Sequence, residues 1–403
     1  MTRRIPISRL RIVFGLAFLA VACRAGHQDK TELRKPLAGE ESNQMQSSYI
    51  QPHANPQLNS FLDYDVTAKG KKAWKFRYND TSIPSNAQYL HLIDETRAVV
   101  DFERVFFAVN LGDRRTLGFR DKSVNTFIRL DEEGGFWFFS SHLLLRVSFE
   151  AFDDESRTGD LVPGLGDHSD LLCFAPREED FIAGMLLLPY PKRHDISFAL
   201  IKMKYGALLQ EWKRAIPDTV IRTPVYGNGR TVLAYRDTIS LVRSNNLVDR
   251  AVTGSFLPLS CSVGPDNLLY SVLQTEKGYV LAAHYDSGEP VWEIPTAVTA
   301  PVQPPVVGKH GLVFLVGAGQ LEVVQDGEIL WNAELKSDTP SATVTSNDRL
   351  LVADGDRIIC FSAEGKTVWE YVDEEGDHFR TPPVVGPSGS VFVASDGAIT
   401  RID

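Results

Sequence analysis

Three phrases near the C-terminus, "YDSGEPVWEI" (285–294), "VQDGEILWNA" (324–333) and "SAEGKTVWEY" (362–371), each place a tryptophan four residues after a glycine. Trp292, Trp331 and Trp369 are 39 and 38 residues apart, and Trp212 precedes Trp292 by 80, two steps of 40. The skipped step falls near Ala251 in "SNNLVDRAV", where a strand-like phrase continues without its tryptophan. A second phrase recurs in between as "TPVYGNGRTVLAY", "PPVVGKHGLVFLV", "TPSATVTSNDRLLVA" and "TPPVVGPSGSVFVA". Each copy is an apolar strand, a Gly/Asn turn and a second apolar strand, and "ISLV", "LEVV" and "IICF" supply a third. The Gly-x-x-x-Trp phrase is the fourth. A four-stranded unit repeating at about 40 residues predicts an all-β chain of β-propeller blades, which bury their faces only by stacking on one another. No stretch sustains an amphipathic helical period, although "YGALLQEWKRAI" imitates one.

The ends of the repeat region predict how it closes. The chain stops after a third strand, "AITRI", while "VTAKGKKAWKF" near the start has Gly70 and Trp74 at the same offset with no blade before them. The N-terminal strand is therefore expected to complete the C-terminal blade and close the ring, hiding a sheet edge. Trp137 in "IRLDEEGGFWFF" matches the phrase with a shifted glycine. Fourth strands at 74, 137, 212, 251, 292, 331 and 369 make seven blades, and the 75-residue interval before Trp212 leaves room for an eighth. The six tryptophans Trp74, Trp137, Trp212, Trp292, Trp331 and Trp369 are read as structural, each covering a neighbouring blade.

Residues 1–22 read as a signal peptide: Arg3, Arg4, Arg9 and Arg11 precede the apolar run "IVFGLAFLAVA", too short to span a bilayer. "AVAC" is similar to a lipobox, which makes Cys23 the expected lipidation site; Ala20 stands where leucine is commoner, and an ordinary secretion signal is the plainer alternative. Arg24 lacks the aspartate that retains lipoproteins at the inner membrane, so an outer-membrane position facing the periplasm is expected. Residues 23–61 are polar and aperiodic and are expected to be a disordered tether of roughly 35 Å end to end, with the propeller over 62–403. Loss of the four leader arginines moves the formal charge from -10 to -14. So acidic a protein has no electrostatic footprint for nucleic acid, and a lipid rather than a basic patch must hold it to a membrane.

The Gly-x-x-x-Trp and "PPVV" phrases resemble the pyrroloquinoline-quinone-like (PQQ-like) repeat, well over 216–403 and poorly over 62–215. With a lipobox and a tether, the chain is similar to the outer-membrane assembly lipoproteins of that family. The resemblance implies a non-enzymatic scaffold for a protein partner in the envelope. The family's quinoprotein dehydrogenases hold PQQ and calcium, commonly beside a vicinal disulfide. This chain has no Cys-Cys pair and no recognisable calcium set, so no cofactor and no metal site is expected. The alternative is a quinone- or other ligand-binding propeller enzyme using the central funnel. Cys173, Cys261 and Cys360 are scattered in apolar phrases and read as buried small hydrophobes. The histidines show no zinc spacing, and there is no GxSxG, P-loop or GxGxxG. Two acidic segments stand out. Residues 152–170 carry Asp153, Asp154, Glu155, Asp160, Asp167, His168 and Asp170, read as a solvated insertion or partner-facing loop. "DEEGDHF" (373–379) is read as a solvated loop.

Overall fold

The computed structural model describes residues 61–403, except 63, 79–86, 103–104, 122–128, 131–134, 141–142, 150–151, 153–157, 162–169, 179–180, 188–195, 205–206, 217–224, 228–229, 244–245, 253 and 286. For strand residues 61, 119, 121, 129–146, 158–231, 235, 242–243, 246–247 and 258–260 the backbone alone is described. Among the described residues every regular element is a strand, and the strands form eight antiparallel meanders. The first four sheets lie within 89–121, 129–161, 170–216 and 225–251. The fifth comprises Ser255–Val263, Leu269–Thr275, Gly278–His284 and Pro290–Pro295, and the sixth Val306–Val307, Leu312–Gly317, Gln320–Gln325 and Glu328–Glu334. The seventh comprises Ser341–Thr345, Leu350–Asp354, Arg357–Phe361 and Thr367–Val372. The chain is an all-β propeller of four-stranded blades. The segment resembling a helix in sequence is the strand Ala207–Ile216.

The eighth sheet joins the ends of the chain. Val384–Val385, Val391–Ala394 and Ala398–Ile402 are completed by Lys72–Arg77, which runs antiparallel to the last strand with Trp74 opposite Arg401 and Lys75 opposite Thr400. The described residues thus form eight sheets, where the sequence spacing favours seven and allows an eighth. The miscount came from Trp137, which marks a second strand, Gly135–Ser140, and not a fourth. Gly135 opens the second strand of a sheet whose fourth strand, Thr158–Leu161, has no tryptophan; neither has the fourth strand of the first sheet, Arg115–Asp121.

The core lies between sheets. Phe314, Val316 and Val323 of the sixth sheet interdigitate with Val344, Val352 and Phe361 of the seventh. Tyr270, Val272 and Leu281 of the fifth meet Val313, Leu315 and Val324 of the sixth. A middle strand such as Leu312–Gly317 is buried along its whole length because both of its faces are covered. That is why these strands read as continuous apolar runs and not as alternation.

First strands meet at one edge between the third and fourth, fourth and fifth, fifth and sixth, and sixth and seventh sheets, and between the eighth and the first. On that edge Phe61–Leu62 runs parallel to Ser341–Thr345, so the inner side of the seventh sheet is lined by the chain's own N-terminal segment. Phe61, the last tether residue by sequence, is already paired. The segment then crosses two inner turns: Ser346 donates to Asp65, Arg349 Nη1 donates to the Val66 carbonyl at 3.1 Å, and Thr67 N donates to the Gly389 carbonyl at 3.0 Å. Lys71 and Asp403 exchange backbone bonds of 3.0 and 2.8 Å, which leads into the outer strand Lys72–Arg77.

Candidate partner-binding surface

The repeated glycine and tryptophan serve two different interfaces. The glycine lies in the turn between third and fourth strands and packs on the tryptophan of the preceding sheet. A Cβ on Gly365 would sit 2.7 Å from the Trp331 ring, one on Gly327 3.1 Å from Trp292, and one on Gly70 3.1 Å from Trp369. Gly365 has φ +82, left-handed backbone that glycine adopts without strain. Trp331 Nε1 also donates to the carbonyl of Ala363 in the same turn at 2.8 Å, and its ring packs 5.7 Å from that of Phe361. Where the repeat lacks its tryptophan, Gly288 packs on Arg250 instead. Where it lacks its glycine, Arg114 takes the left-handed position (φ 55) and lays its guanidinium over Trp74, 5.6 Å from the ring centre. Trp369 is buried, and Trp74, Trp292 and Trp331 are half-buried. Trp137 and Trp212 lie in strands whose side chains are outside the described residues.

Each fourth strand with a tryptophan and described side chains also carries a bulge. In the sixth sheet Val324 pairs with Ile329 and Val323 with Trp331, which leaves Leu330 without a partner position. In the seventh, Val368 is skipped in the same way between Thr367 and Trp369. The bulge turns the tryptophan inward and its predecessor outward. Among the described residues, the exposed large apolar side chains are Tyr285, Ile329, Leu330, Val368 and Val372. All five lie on the outer turn or outer strand of the fifth, sixth and seventh sheets. The three outer segments 285–295, 325–334 and 362–372 carry eight acidic residues and one lysine, Lys366. The periphery of these sheets is thus an apolar surface in a strongly acidic setting.

The remaining polar groups hold the fold together. Lys75 on the closing strand reaches Asp373 at 2.9 Å and Asp377 at 2.8 Å, and Arg77 pairs with Glu375. Burial alone would lower the Lys75 pKa, but its bonds to Asp377 and Asp373 raise it. Burial would raise that of Asp373, but the Lys75 bond and the Asp377 N–H bring it below the usual carboxylate range. The loop 373–379, expected to be merely solvated, is therefore the fastening of the N-terminal strand. Burial holds His284 neutral, its pKa brought down to about 4, with Glu293 3.8 Å away. Cys261 and Cys360 are buried free thiols, Cys360 pushed up to about 12 by burial. Among the described residues no group of three His, Cys, Asp or Glu is placed to hold a metal. Cys23 and most of the acidic stretch 152–170 lie outside the described residues, as does the side chain of Cys173.

Comparison with known proteins places this geometry. The profile of a family described as outer membrane protein assembly factor BamB matches residues 276–403. That span holds the last two strands of the fifth sheet, the four-stranded meanders of the sixth and seventh, and the three C-terminal strands of the eighth. BamB from Moraxella catarrhalis matches over 82% of this chain and 98% of its own, with 13% identity and a TM-score of 0.56. Sqt1 from Saccharomyces cerevisiae matches over 83% of this chain and 99% of its own, with 12% identity and a TM-score of 0.59. No curated protein sequence matches. At these identities the structural likenesses establish the fold. The chain is a β-propeller that resembles BamB, with the likeness in sequence to that PQQ-like repeat family lying in residues 276–403.

Proposed function

We propose that the chain is a non-enzymatic, membrane-anchored lipoprotein whose propeller is a protein-binding scaffold of the cell envelope, acting in outer-membrane protein assembly. The observation that carries this reading is the profile match over 276–403, the region that holds most of the exposed apolar periphery. Clustered apolar side chains on a surface mark an interaction site more often than chance exposure. On this reading residues 1–22 are removed, Cys23 carries the lipid and 23–60 tether the body to the outer membrane.

The test is purification of the native protein from solubilised membranes, beside Cys23→Ala. The wild type is expected to fractionate with the outer membrane and to co-elute stoichiometrically with another envelope protein. Cys23→Ala is expected to be unprocessed or soluble. A wild-type protein that elutes alone, or a variant that is processed and retained normally, overturns the reading.

A further inference from the structure

We propose that the outer strand of the sixth sheet, Glu328–Glu334, receives an extended segment of a partner protein as a fifth strand, and that this segment carries basic residues on either side of a short apolar run. The inference rests on the scaffold reading and says where and how the partner docks.

The outer strands differ in how they are guarded. A free strand edge invites pairing, and proteins blunt it with proline, lysine or other charge. Proline stands at both ends of the fifth sheet's outer strand, Pro290–Pro295. The eighth sheet's is lysine-rich, with Lys72, Lys75 and Arg77; the first sheet's carries Arg115 and Arg120; the fourth sheet's carries Asp249 and Arg250. Glu328–Glu334 and the seventh sheet's Thr367–Val372 both lack proline and lysine; Glu328–Glu334 is set apart by a glutamate at each end and by two adjacent exposed apolar residues, Ile329 and Leu330, 49% and 47% exposed. The adjoining turn of the seventh sheet seats Gly365 on Trp331, and Val368 follows it, 45% exposed. Apart from its two end glutamates, this edge is unguarded and apolar.

Its charge selects the occupant. Glu328 and Glu334 bracket the exposed apolar residues, both exposed and, among the described residues, outside any ion pair. Asp326 and Glu364 add exposed negative charge nearby. Two copies of this edge repel each other, whereas a strand with lysine or arginine at its ends is attracted. The chain already contains a strand of this chemistry in place: "KAWKFR" at 72–77, alternating basic and apolar residues, forms the outer strand of the eighth sheet. Backbone bonds to an edge strand supply affinity, and flanking side chains supply specificity.

The experiment uses the full chain and two probe peptides, Lys-Val-Thr-Val-Thr-Val-Lys and its counterpart with glutamate at both ends. Binding is read by fluorescence anisotropy at low and high salt, and the occupied strand by amide hydrogen exchange. The lysine peptide is expected to bind saturably, to weaken at least tenfold at high salt and to protect amides within 328–334. In Glu328→Lys/Glu334→Lys, with melting unchanged, preference is expected to reverse toward the glutamate peptide, which a misfolded variant does not reproduce. No saturable binding, protection elsewhere, or unchanged preference overturns the proposal. So does sedimentation showing a second copy on this edge. A membrane complex retained by the double variant sinks this edge and leaves the scaffold reading standing; no complex with the wild type sinks the scaffold reading itself.

Discussion

At the scale of single residues, one glycine meets two demands. Gly365 must be left-handed to make its turn, and it must lack a Cβ because the Trp331 ring occupies the space. The two costs separate by substitution. Gly355, also left-handed at φ +71, has nothing within 4 Å of where its Cβ would be. Gly355→Ala is expected to cost about 1 kcal/mol, the backbone term alone. Gly365→Ala adds the overpacking of a filled interface and is expected to cost about 3 kcal/mol. Urea unfolding of both variants measures the difference, and equal losses would refute the glycine–tryptophan contact. The spacing in the sequence made the glycine, the tryptophan and their turn legible. It also put each tryptophan against the next sheet, but not the glycine against the preceding one, because a turn's need for glycine looks the same whether or not a ring fills the space beside it.

At the scale of elements, the N-terminal strand is held by side chains as well as by the ladder. Lys75 and Asp373 are both nearly dry, so removing one leaves a charge buried without its partner. Lys75→Met is expected to cost about 3 kcal/mol, and Lys75→Met/Asp373→Asn to recover part of it. The pH dependence follows from the two shifts. Asp373 has its folded pKa lowered, so its contribution is present above its unfolded value near 3.8 and is lost as pH falls through the folded one. Lys75 has its folded pKa raised, so its contribution is present below 10.5 and is lost as pH rises through the folded value. The gap between wild type and Lys75→Met is thus expected to be flat between about pH 5 and 10 and to shrink below about pH 4. Denaturant titrations across that range check it; a gap that widens in acid would contradict it. The strand itself was readable from Gly70, Trp74 and the missing fourth strand at the C-terminus. The role of 373–379 was not, since an acidic run looks solvated until the lysine it meets, about 300 residues away, is placed beside it.

At the scale of the whole molecule, the repeat was clear where the phrase survives and misleading where it has eroded. From 216 onward the strands fell where the phrases put them. Between Trp74 and Trp212 the fourth strands had lost their marker, and Trp137 on a second strand drew the count to seven instead of eight. The outer edge of the sixth sheet was hidden for another reason: Leu330 is turned out by a bulge beside Ile329, and no pattern of residue types announces a bulge. The account depends most on the two ends of the chain sharing one sheet. Arg77 and Ala398 are register partners in the eighth sheet, and paired antiparallel residues have Cα atoms about 5 Å apart, within reach of a disulfide. The direct measurement is oxidation of Arg77→Cys/Ala398→Cys in a chain lacking Cys23, read by electrophoretic mobility and by mass spectrometry of the linked peptide. The predicted result is an intramolecular 77–398 bond in nearly every molecule, with a raised melting temperature. Free thiols after oxidation, or links formed only between molecules, would contradict closure by the N-terminal strand.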